Sequence, residues 1–359
     1  MCQIKSLPLH SCFSRMNKIE IFCVCALLSL TACKKEREHV RQVMQVPQTE
    51  CLVKTTPVKN QGASDLCWAY AMLATIESDH LMIGDSVNLS PLYLGRRYLE
   101  EQTDRFFLSG GKEKIAMRGM ASMTLHLLNR YGITHYDAFH RDEVNIRVLA
   151  RKAEQTATAC ITQRKGLLSM RNELGNLLDE HLPTVPRYVF MLGAEYTTLE
   201  FAHSVYREGE YEALTSFTHH PFGSRFALES ADNKMSDEFL NIPLDTLMQR
   251  IEHALHTGHA VCWEGDISEP KFSFPKGIAK LENEQKRVTQ ESRQHDFEQR
   301  LTTDDHCMEI IGMARTDKGS RYFICKNSWG TKNPFGGWMY LSENYVRAKT
   351  IAVWMKNTE

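Results

Sequence analysis

A cysteine lies at the expected start of a helix in residues 61–71, which read QGASDLCWAYA. A thiol attacks as its thiolate, and the free N–H groups and dipole of a helix N-terminus lower the thiol pKa. Gln61 comes six residues before Cys67, across a turn at Gly62, so its amide can lie beside the thiol. That amide and the Cys67 backbone N–H would be two oxyanion donors, each worth about 10²–10³ in rate. The segment predicts Cys67 as a nucleophile and Gln61 as an oxyanion donor.

Two later segments supply a base and a group that can orient it. His306 opens an expected strand in the sequence DDHCMEI, and Asn327 ends another in KNSWG. A base beside a nucleophilic cysteine needs a third group to fix its ring. The side-chain carbonyl of Asn327 can do this without adding negative charge, and Trp329 can shield that hydrogen bond from water. The three segments together predict acyl-transfer chemistry at Cys67, His306 and Asn327, with Trp329 in support.

The elements that must position these groups follow one order, with helices first and strands later. Expected helices cover residues 67–83, a segment beginning at Ser90-Pro91, and residues 120–131, 141–182 and 243–258. Expected strands cover residues 260–263, 306–314, 322–327, 338–341 and 350–354. The highly charged residues 279–304 indicate a long exposed loop or helix. This order predicts an α+β fold in which the two kinds of element are segregated.

The order Gln–Cys–His–Asn, the CWAY sequence at Cys67 and the NSWG sequence at Asn327 resemble the papain superfamily over most of residues 51–359. The resemblance implies a two-lobe fold, with the cysteine in a helical lobe, the histidine in a β-barrel-like lobe and a substrate cleft between them. It also implies thiol-dependent peptide hydrolysis through an acyl-enzyme, with His306 acting as base and then as acid. No metal or organic cofactor is expected.

Within this superfamily the chain is similar to the bleomycin hydrolase and aminopeptidase C branch. The similarity rests on LSPLYL at 89–94, RYGI at 130–133 and the stretch 243–264. A helical insertion is expected over residues 141–242. The 29 residues after Gly330 leave little room for the C-terminal arm that makes enzymes of this branch aminopeptidases. Aminopeptidase and endopeptidase activity therefore both stay open.

Several positions depart from the family pattern or have two interpretations. Asp65 and Leu66 stand where glycine or serine is usual, and the negative charge of Asp65 should raise the thiol pKa somewhat. Ala63 replaces a cysteine that forms a disulfide in cathepsins. Gly119 and Met120 are either part of the glycine-rich substrate wall of the family or simply the start of a helix.

The N-terminus resembles a bacterial lipoprotein signal peptide. An apolar run of about 12 residues, from Ile19 to Leu30, follows Lys18 and is too short to span a bilayer as an ordinary helix. It leads into LTAC, which resembles the lipobox in which the cysteine, here Cys33, is lipidated. A plain signal peptide with a chance cysteine is the alternative.

This interpretation divides the chain into three parts. We expect a signal peptide at residues 1–32, with Met16 as an alternative start, a tether at 33–50 and the peptidase domain at 51–359. The protein would then be exported and held at a bacterial membrane by a lipid on Cys33, on the periplasmic or the cell-surface face.

Composition limits the classes of function. The chain has 359 residues, of which 42% are hydrophobic and 24% charged, as in ordinary globular proteins. A net charge of −1 gives no basic excess for nucleic acid, so the expected partners are peptide or protein substrates.

The seven cysteines after residue 32 match no zinc spacing and no small disulfide framework, which leaves their pairing open. Five histidines are interpreted as surface residues rather than metal ligands: His219, His220, His253, His256 and His259.

Two other functions remain as alternatives. One is a catalytically silent, peptide-binding lipoprotein, against which the complete set of Gln61, Cys67, His306 and Asn327 argues. The other is acyl transfer to an amine instead of water, against which the asparagine and its NSWG context argue.

Overall fold

The computed structural model describes residues 47–142, 144–191 and 193–357. Within these ranges the helices are α1 Cys67–Met82, α2 Pro91–Leu108, α3 Ser122–Tyr131, α4 Ile146–Thr162, α5 Leu167–His181, α6 Thr198–Val205, α7 Leu244–His256, α8 Gln290–Glu298 and α9 Glu343–Lys349. The strands are β1 Gln48–Leu52, β2 Val189–Met191, β3 Ala194–Tyr196, β4 Tyr211–Thr215, β5 Arg225–Ala227, β6 Glu238–Asn241, β7 Val261–Gly265, β8 Phe272–Ser273, β9 Ile278–Ala279, β10 His306–Arg315, β11 Arg321–Lys326, β12 Trp338–Ser342 and β13 Thr350–Lys356. The predicted α+β class is confirmed.

The first two helices form where the sequence predicts them. Every residue of α1 from Trp68 to Asp79 is buried, so the helix that begins at the cysteine runs through the core. α2 begins after Ser90, whose Oγ accepts a hydrogen bond from the N–H of Tyr93 at 3.1 Å. Pro91 occupies the first helical position, where its missing N–H leaves no donor unpaired.

Gly132 ends α3 as expected. Its φ of +76° is unfavourable for residues with a Cβ, and a Cβ there would lie 2.1 Å from the carbonyl of Thr198. The glycine thus lets the end of α3 approach the start of α6, which it contacts through a hydrogen bond from the Ile133 N–H to the Thr198 carbonyl.

The region 141–242, predicted as one helical insertion, is mainly helical only as far as residue 181. α4 and α5 lie against α2, where Arg96 donates a hydrogen bond to Asp179 at 2.7 Å. Beyond them the chain forms β2 to β6, with α6 as the one helix between. The helical prediction is wrong for this second part, because β4 pairs with β13 and β6 pairs with β4, so these strands extend the main sheet.

The main sheet has eleven strands in the order β5-β6-β4-β13-β7-β10-β11-β12-β9-β8, with β1 also paired to β10. Most neighbours are antiparallel, whereas the pairs β4–β6 and β9–β12 are parallel. Among the described strands this sheet stays open and does not close into a barrel. The central strands β7, β10 and β13 are almost completely buried.

Strand β1 overlaps the segment predicted as a tether, residues 33–50. It runs antiparallel to β10, with Gln48 opposite Arg315 and Leu52 opposite Gly312. The prediction of a tether is wrong for residues 48–50, because a short polar strand with mostly exposed side chains carries no clear apolar period. The rest of the tether, up to Val46, lies outside the described residues.

The charged region 279–304 contains α8, one of the two predicted alternatives. It is not wholly exposed, because Arg293 is only 1% exposed. Its Nε donates to the Ser216 carbonyl at 2.9 Å and its guanidinium lies over the Phe217 ring at 4.6 Å. Burial lowers the pKa of Arg293 to about 9.

A buried carboxylate fixes α1 against the loop that precedes it. Glu77 accepts hydrogen bonds from Thr56 Oγ1 and from Lys59 Nζ, each at 2.5 Å, and from the Leu89 N–H at 2.6 Å. A carboxylate without these partners would be costly to bury. The contacts therefore hold residues 56–61 beside the helix that carries Cys67.

Candidate active site

Cys67 is the first residue of α1 and is half-buried. No acidic residue lies in the first turn of the helix, so nothing there offsets the positive end of the helix dipole. The next residue, Trp68, is completely buried and donates from Nε1 to the Met117 carbonyl at 3.0 Å. The thiol is therefore held at the core boundary, where α1 faces a cleft.

The structure brings His306 and Asn327 together, as predicted. His306 is the first residue of β10, and its Nε2 lies 2.9 Å from Asn327 Oδ1. The Asn327 side chain is itself fixed, because its Oδ1 also accepts from the Ser328 N–H at 2.7 Å. Because Nε2 is engaged with Asn327, Nδ1 is the ring nitrogen left for Cys67, and hydrogen bonding from His306 and its charge both lower the pKa of Cys67.

Trp329 covers this pair from the solvent side. Its ring centroid lies 4.7 Å from that of His306, and Phe272 and Phe274 pack edge-on against it. His306 and Asn327 are 4% and 2% exposed. Shielding of this kind strengthens a hydrogen bond, because competing water is excluded.

Gln61 lines the same cleft and is nearly buried. Its Oε1 accepts from Ser328 Oγ at 2.6 Å, and its Nε2 donates one proton to the Ser64 carbonyl at 2.9 Å. An amide carries two N–H donors, so one remains for another acceptor in the cleft. The side chain is held by residues next to both Cys67 and Asn327.

Cys307 is a neighbour of Cys67 in the cleft that sequence reasoning missed. Both residues line the cleft, and hydrogen bonding from the Cys307 thiol is the largest influence on the pKa of Cys67. The pKa of Cys67 lies well below its ordinary value, chiefly through this bond and then through the hydrogen bond and charge of His306, while burial opposes them. Burial raises the pKa of Cys307, so that residue stays a thiol and donates. Its place next to His306 gave no signal, because successive strand residues usually point to opposite faces.

Asp65 does not have the predicted effect on the thiol. Its two carboxylate oxygens lie 3.0 and 3.1 Å from Arg147 Nε, which makes a paired, partly neutralised group. Asp65 is not among the groups that set the Cys67 pKa, which is lowered rather than raised. The expectation was wrong because Arg147, 82 residues away in sequence, supplies the opposite charge.

The cleft has a volume of about 240 Å³ and is rich in acid. Its lining includes five carboxylates and two guanidinium groups: Asp65, Asp232, Glu264, Asp304, Asp305, Arg118 and Arg147. Arg118 Nε donates to Asp232 at 2.7 Å and also binds the Asp304 carbonyl. Asp304 accepts from Ser230 Oγ, whereas Glu264 accepts from the Ala121 N–H at 3.4 Å.

Burial dominates the acid–base behaviour of these carboxyls. It raises the pKa of Glu264 well above the ordinary value, and the charges of Asp304 and Cys67 raise it further. Burial, followed by the charge of Asp232, also raises the pKa of Asp304. These residues come from separate segments of the chain, so their convergence carried no signal in the sequence.

The two candidates for a substrate wall are placed differently. Gly119 lines the cleft, three residues before α3 begins, and its Cα faces Trp68 and Met123. Met120 is 1% exposed and belongs to the core, and it is absent from the lining of the cleft. The structure thus brings Gly119 to the site but leaves Met120 out of it.

His219 and His220 meet at one carboxylate on the surface. Their Nε2 atoms lie 3.0 and 2.7 Å from the two oxygens of Glu229. The ligand atoms of the three residues lie within 4.8 Å of one another, which makes them the group in the described part of the chain that could hold a metal ion. His253 and His256 lie in the last turn of α7, and His259 Nδ1 contacts the buried Asp79 at 2.8 Å.

The lipidation site Cys33 and the signal peptide lie outside the described residues. In the part of the chain that the structure covers, no helix has the length and apolar character needed to cross a membrane. Six cysteines are free thiols there: Cys51, Cys67, Cys160, Cys262, Cys307 and Cys325.

The chain is similar to known proteins over part of its sequence and in its fold. Residues 195–358 match the Peptidase C1-like family. The crystal structure of PepW from Lactobacillus rhamnosis HN001 is similar at a TM-score of 0.67 and 16% identity, over 96% of this chain and 93% of that chain. Bromelain from Ananas comosus in complex with the E64 inhibitor matches at 0.40 and 14%, over 87% and 99%. A search of curated protein sequences finds no match.

The match to the Peptidase C1-like family supports hydrolysis of the cysteine peptidase type. The likeness to PepW shows that the α+β architecture is the papain-like fold. The chain therefore has a papain-like fold, and residues 195–358 are similar to the Peptidase C1-like family.

Proposed function

We propose that the protein hydrolyses peptide bonds through a thioester acyl-enzyme formed on Cys67. The observation that carries the proposal is the alignment of His306 between Asn327, 2.9 Å from its Nε2, and the thiol at the start of α1. A nucleophile, a base and an orienting group in this relation form the general arrangement for covalent acyl transfer.

The reaction follows from the positions of these groups. The Cys67 thiolate attacks the scissile carbonyl, and the oxyanion accepts from the Cys67 N–H and from the second amide proton of Gln61. The His306 imidazolium gives its proton to the departing amine. It then takes a proton from water, which attacks the thioester and releases the acid. Every step uses residues of this chain.

The acid-rich cleft favours substrates that carry a positive charge near the scissile bond. Two of its five carboxylates are paired to arginine, Asp232 with Arg118 and Asp65 with Arg147. Three carboxyls remain, Glu264, Asp304 and Asp305, and of these Asp304 is the one proposed to attract a cation, such as a lysine or arginine side chain or the ammonium of a peptide N-terminus. Binding of the N-terminal ammonium would make the enzyme an aminopeptidase, as in the bleomycin hydrolase branch. Binding of a lysine or arginine side chain would allow an endopeptidase.

Export as a membrane lipoprotein anchored through Cys33 is part of the proposal and rests on the LTAC sequence. Such a protein would act on peptides or proteins outside the cytoplasm. Metabolic labelling with a palmitate analogue tests this point, with Cys33→Ala as the matched control. Labelling of the variant at the level of the wild type would contradict it.

The proposed activity is tested with fluorogenic peptides whose N-termini are free or blocked, using the wild type and Cys67→Ala. Cleavage that is lost in the variant supports a thiol peptidase, and cleavage of blocked peptides identifies an endopeptidase. Cleavage of free peptides alone identifies an aminopeptidase. If neither peptide is cleaved but both bind, the silent binding protein is correct. Incorporation of an added amine in preference to hydrolysis would instead show an acyltransferase.

A further inference from the structure

Two imidazoles and one carboxylate converge at the protein surface, outside the cleft that holds Cys67. His219 Nε2 lies 3.0 Å from one oxygen of Glu229, and His220 Nε2 lies 2.7 Å from the other. The ligand atoms of the three residues all lie within 4.8 Å of one another. None of the three lines the cleft, and the proposed hydrolysis gives this cluster no role.

We propose that His219, His220 and Glu229 bind a zinc ion. Zinc takes imidazole nitrogens and carboxylate oxygens at about 2.0–2.2 Å in a tetrahedral arrangement, in which neighbouring ligand atoms stand roughly 3.3–3.5 Å apart. The two distances from imidazole to carboxylate are slightly shorter than this, so small side-chain rotations open the space for the ion. Three protein ligands leave the fourth position to water, which the adjoining cavity of about 690 Å³ admits.

Ring packing restrains both imidazoles before any ion binds. The His220 ring stacks on Phe226, with the two centroids 3.9 Å apart. The His219 ring stacks on Phe297, with the two centroids 5.8 Å apart. The two imidazoles lie edge to face against each other at 4.7 Å. A site whose ligands are already restrained loses less side-chain entropy when it binds, which favours affinity.

The amide of Gln294 contacts the outer nitrogen of His219. Its Nε2 lies 3.0 Å from His219 Nδ1, and its Oε1 lies 3.5 Å from the same atom. The amide is held at both ends, because Oε1 accepts from the Thr218 N–H at 2.6 Å and Nε2 donates to Glu298 at 2.8 Å. When Nε2 of a histidine binds a metal, the ring proton is on Nδ1 and needs an acceptor. Gln294 Oε1 is placed to be that acceptor, so the contact turns the other ring nitrogen of His219 toward the ion.

A bound ion would tie together the two segments that flank β5. His219 and His220 come before this strand and Glu229 follows it, which is why the three ligands match no zinc spacing in the sequence. The next residue, Ser230, donates from Oγ to Asp304, which lines the cleft. Zinc would therefore restrain a segment that reaches the cleft. It would also raise the temperature of unfolding, as any ligand that binds only the folded state does.

The test measures zinc binding by the full chain carrying Cys67→Ala, so that the cleft thiol offers no competing ligand. After a chelator has stripped the protein, isothermal titration calorimetry should detect zinc binding, and added zinc should raise the temperature of unfolding. His220→Ala or Glu229→Gln in the same background should weaken binding by about 100-fold or more, since loss of a contact behind a metal ligand alone costs about 10–100-fold. His256→Ala, which removes an exposed histidine in the last turn of α7, is the matched control and should bind zinc as the parent does.

Chemical modification locates the ion without any change to the site. In the Cys67→Ala protein, zinc should slow the modification of His219 and His220 by diethyl pyrocarbonate, as read by mass spectrometry, and leave His256 unprotected. The proposal is overturned if no zinc binds, or if His256 is protected as strongly as His219 and His220. It is also overturned if the two site variants fold by circular dichroism and bind zinc as the parent does. These measurements involve no peptide cleavage, so failure of the proposed function would leave them unchanged.

Discussion

Ser78 donates a hydrogen bond to Glu309 at 2.5 Å and so joins the two elements that carry Cys67 and His306. Ser78 lies on α1 eleven residues after Cys67, and Glu309 lies on β10 three residues after His306. Both side chains are completely buried. The other Glu309 oxygen pairs with Lys326 Nζ at 2.7 Å. This contact sets how the helix and the strand lie against each other.

We expect Ser78→Ala to lower the free energy of unfolding by about 1–3 kcal/mol, because a buried carboxylate loses one of its donors. Urea unfolding followed by circular dichroism measures the change. Ser204→Ala is the control, since its hydroxyl bonds only to the Phe201 carbonyl of its own helix. Equal stability of Ser78→Ala and the wild type would show that the contact contributes nothing.

Asn327→Ala should lower kcat by about 10²-fold, near the lower end of what a positioned acid–base group contributes, with KM little changed. The reason is that His306 loses the acceptor that fixes its ring. Steady-state kinetics on a fluorogenic peptide separates the two parameters. Asn344→Ala, which removes a bond to the Glu284 carbonyl far from the cleft, serves as the comparison. A change confined to KM would contradict the orienting role.

Cys307→Ala should raise the pKa of Cys67, because the thiolate loses its largest stabilising hydrogen bond. Less thiolate then exists at low pH, so the acid limb of the kcat/KM profile moves to higher pH. The rate of alkylation by iodoacetamide against pH reports the same ionisation. Cys307→Ser keeps an O–H donor and should shift the limb less. An unmoved acid limb in Cys307→Ala would show that the bond is unimportant.

Glu264 should make the protein less stable as pH rises. Its folded-state pKa is raised, chiefly by burial, above the unfolded value of about 4.3. The folded state therefore binds the extra proton, and its contribution is complete below about pH 4.3 and is lost as pH rises through the folded-state pKa. Glu264→Gln should flatten the dependence of unfolding free energy on pH above this value. The exposed Glu195→Gln should retain the slope; equal slopes in both variants would contradict the assignment.

Asp304→Asn should reduce the preference for peptides with a lysine over those with a glutamine next to the scissile bond. Because the pKa of Asp304 is raised by burial, its charge and the preference should both fade as pH falls through that pKa. The ratio of kcat/KM values for the two peptides measures the effect. Asp317→Asn, at an exposed turn, should leave the ratio unchanged. If the ratio is the same in Asp304→Asn and the wild type, the Asp304 carboxyl does not determine the preference for lysine.

The sequence was most informative where local motifs carry the chemistry. Cys67, His306 and Asn327 each lie in a short distinctive segment, and the structure places all three side by side. The helices from α1 to α3 were predictable because caps and glycines mark their ends. The catalytic roles of Cys67, His306 and Asn327 remain predictions.

The parts that sequence reasoning missed depend on contacts between distant segments. The neutralisation of Asp65 by Arg147 and the meeting of Asp232 with Glu264 leave no mark on local spacing. The strands that the sequence did not predict after residue 181, namely β2 to β6 with β8 and β9, have two to five residues each and are too brief to show a period. Two of them are held by strands far along the chain, because β4 pairs with β13 and β9 pairs with β12.

The register of β1 against β10 fixes where a surface attachment would emerge. Gln48 lies opposite Arg315, and His306 begins the same strand nine residues earlier, which is roughly 30 Å along an extended chain. A coupling group introduced at Pro47 would therefore sit at the far end of β10 from the His306 imidazole. Protein immobilised on a bead through that point would be attached about the length of β10 away from the end of the strand at which His306 lines the cleft.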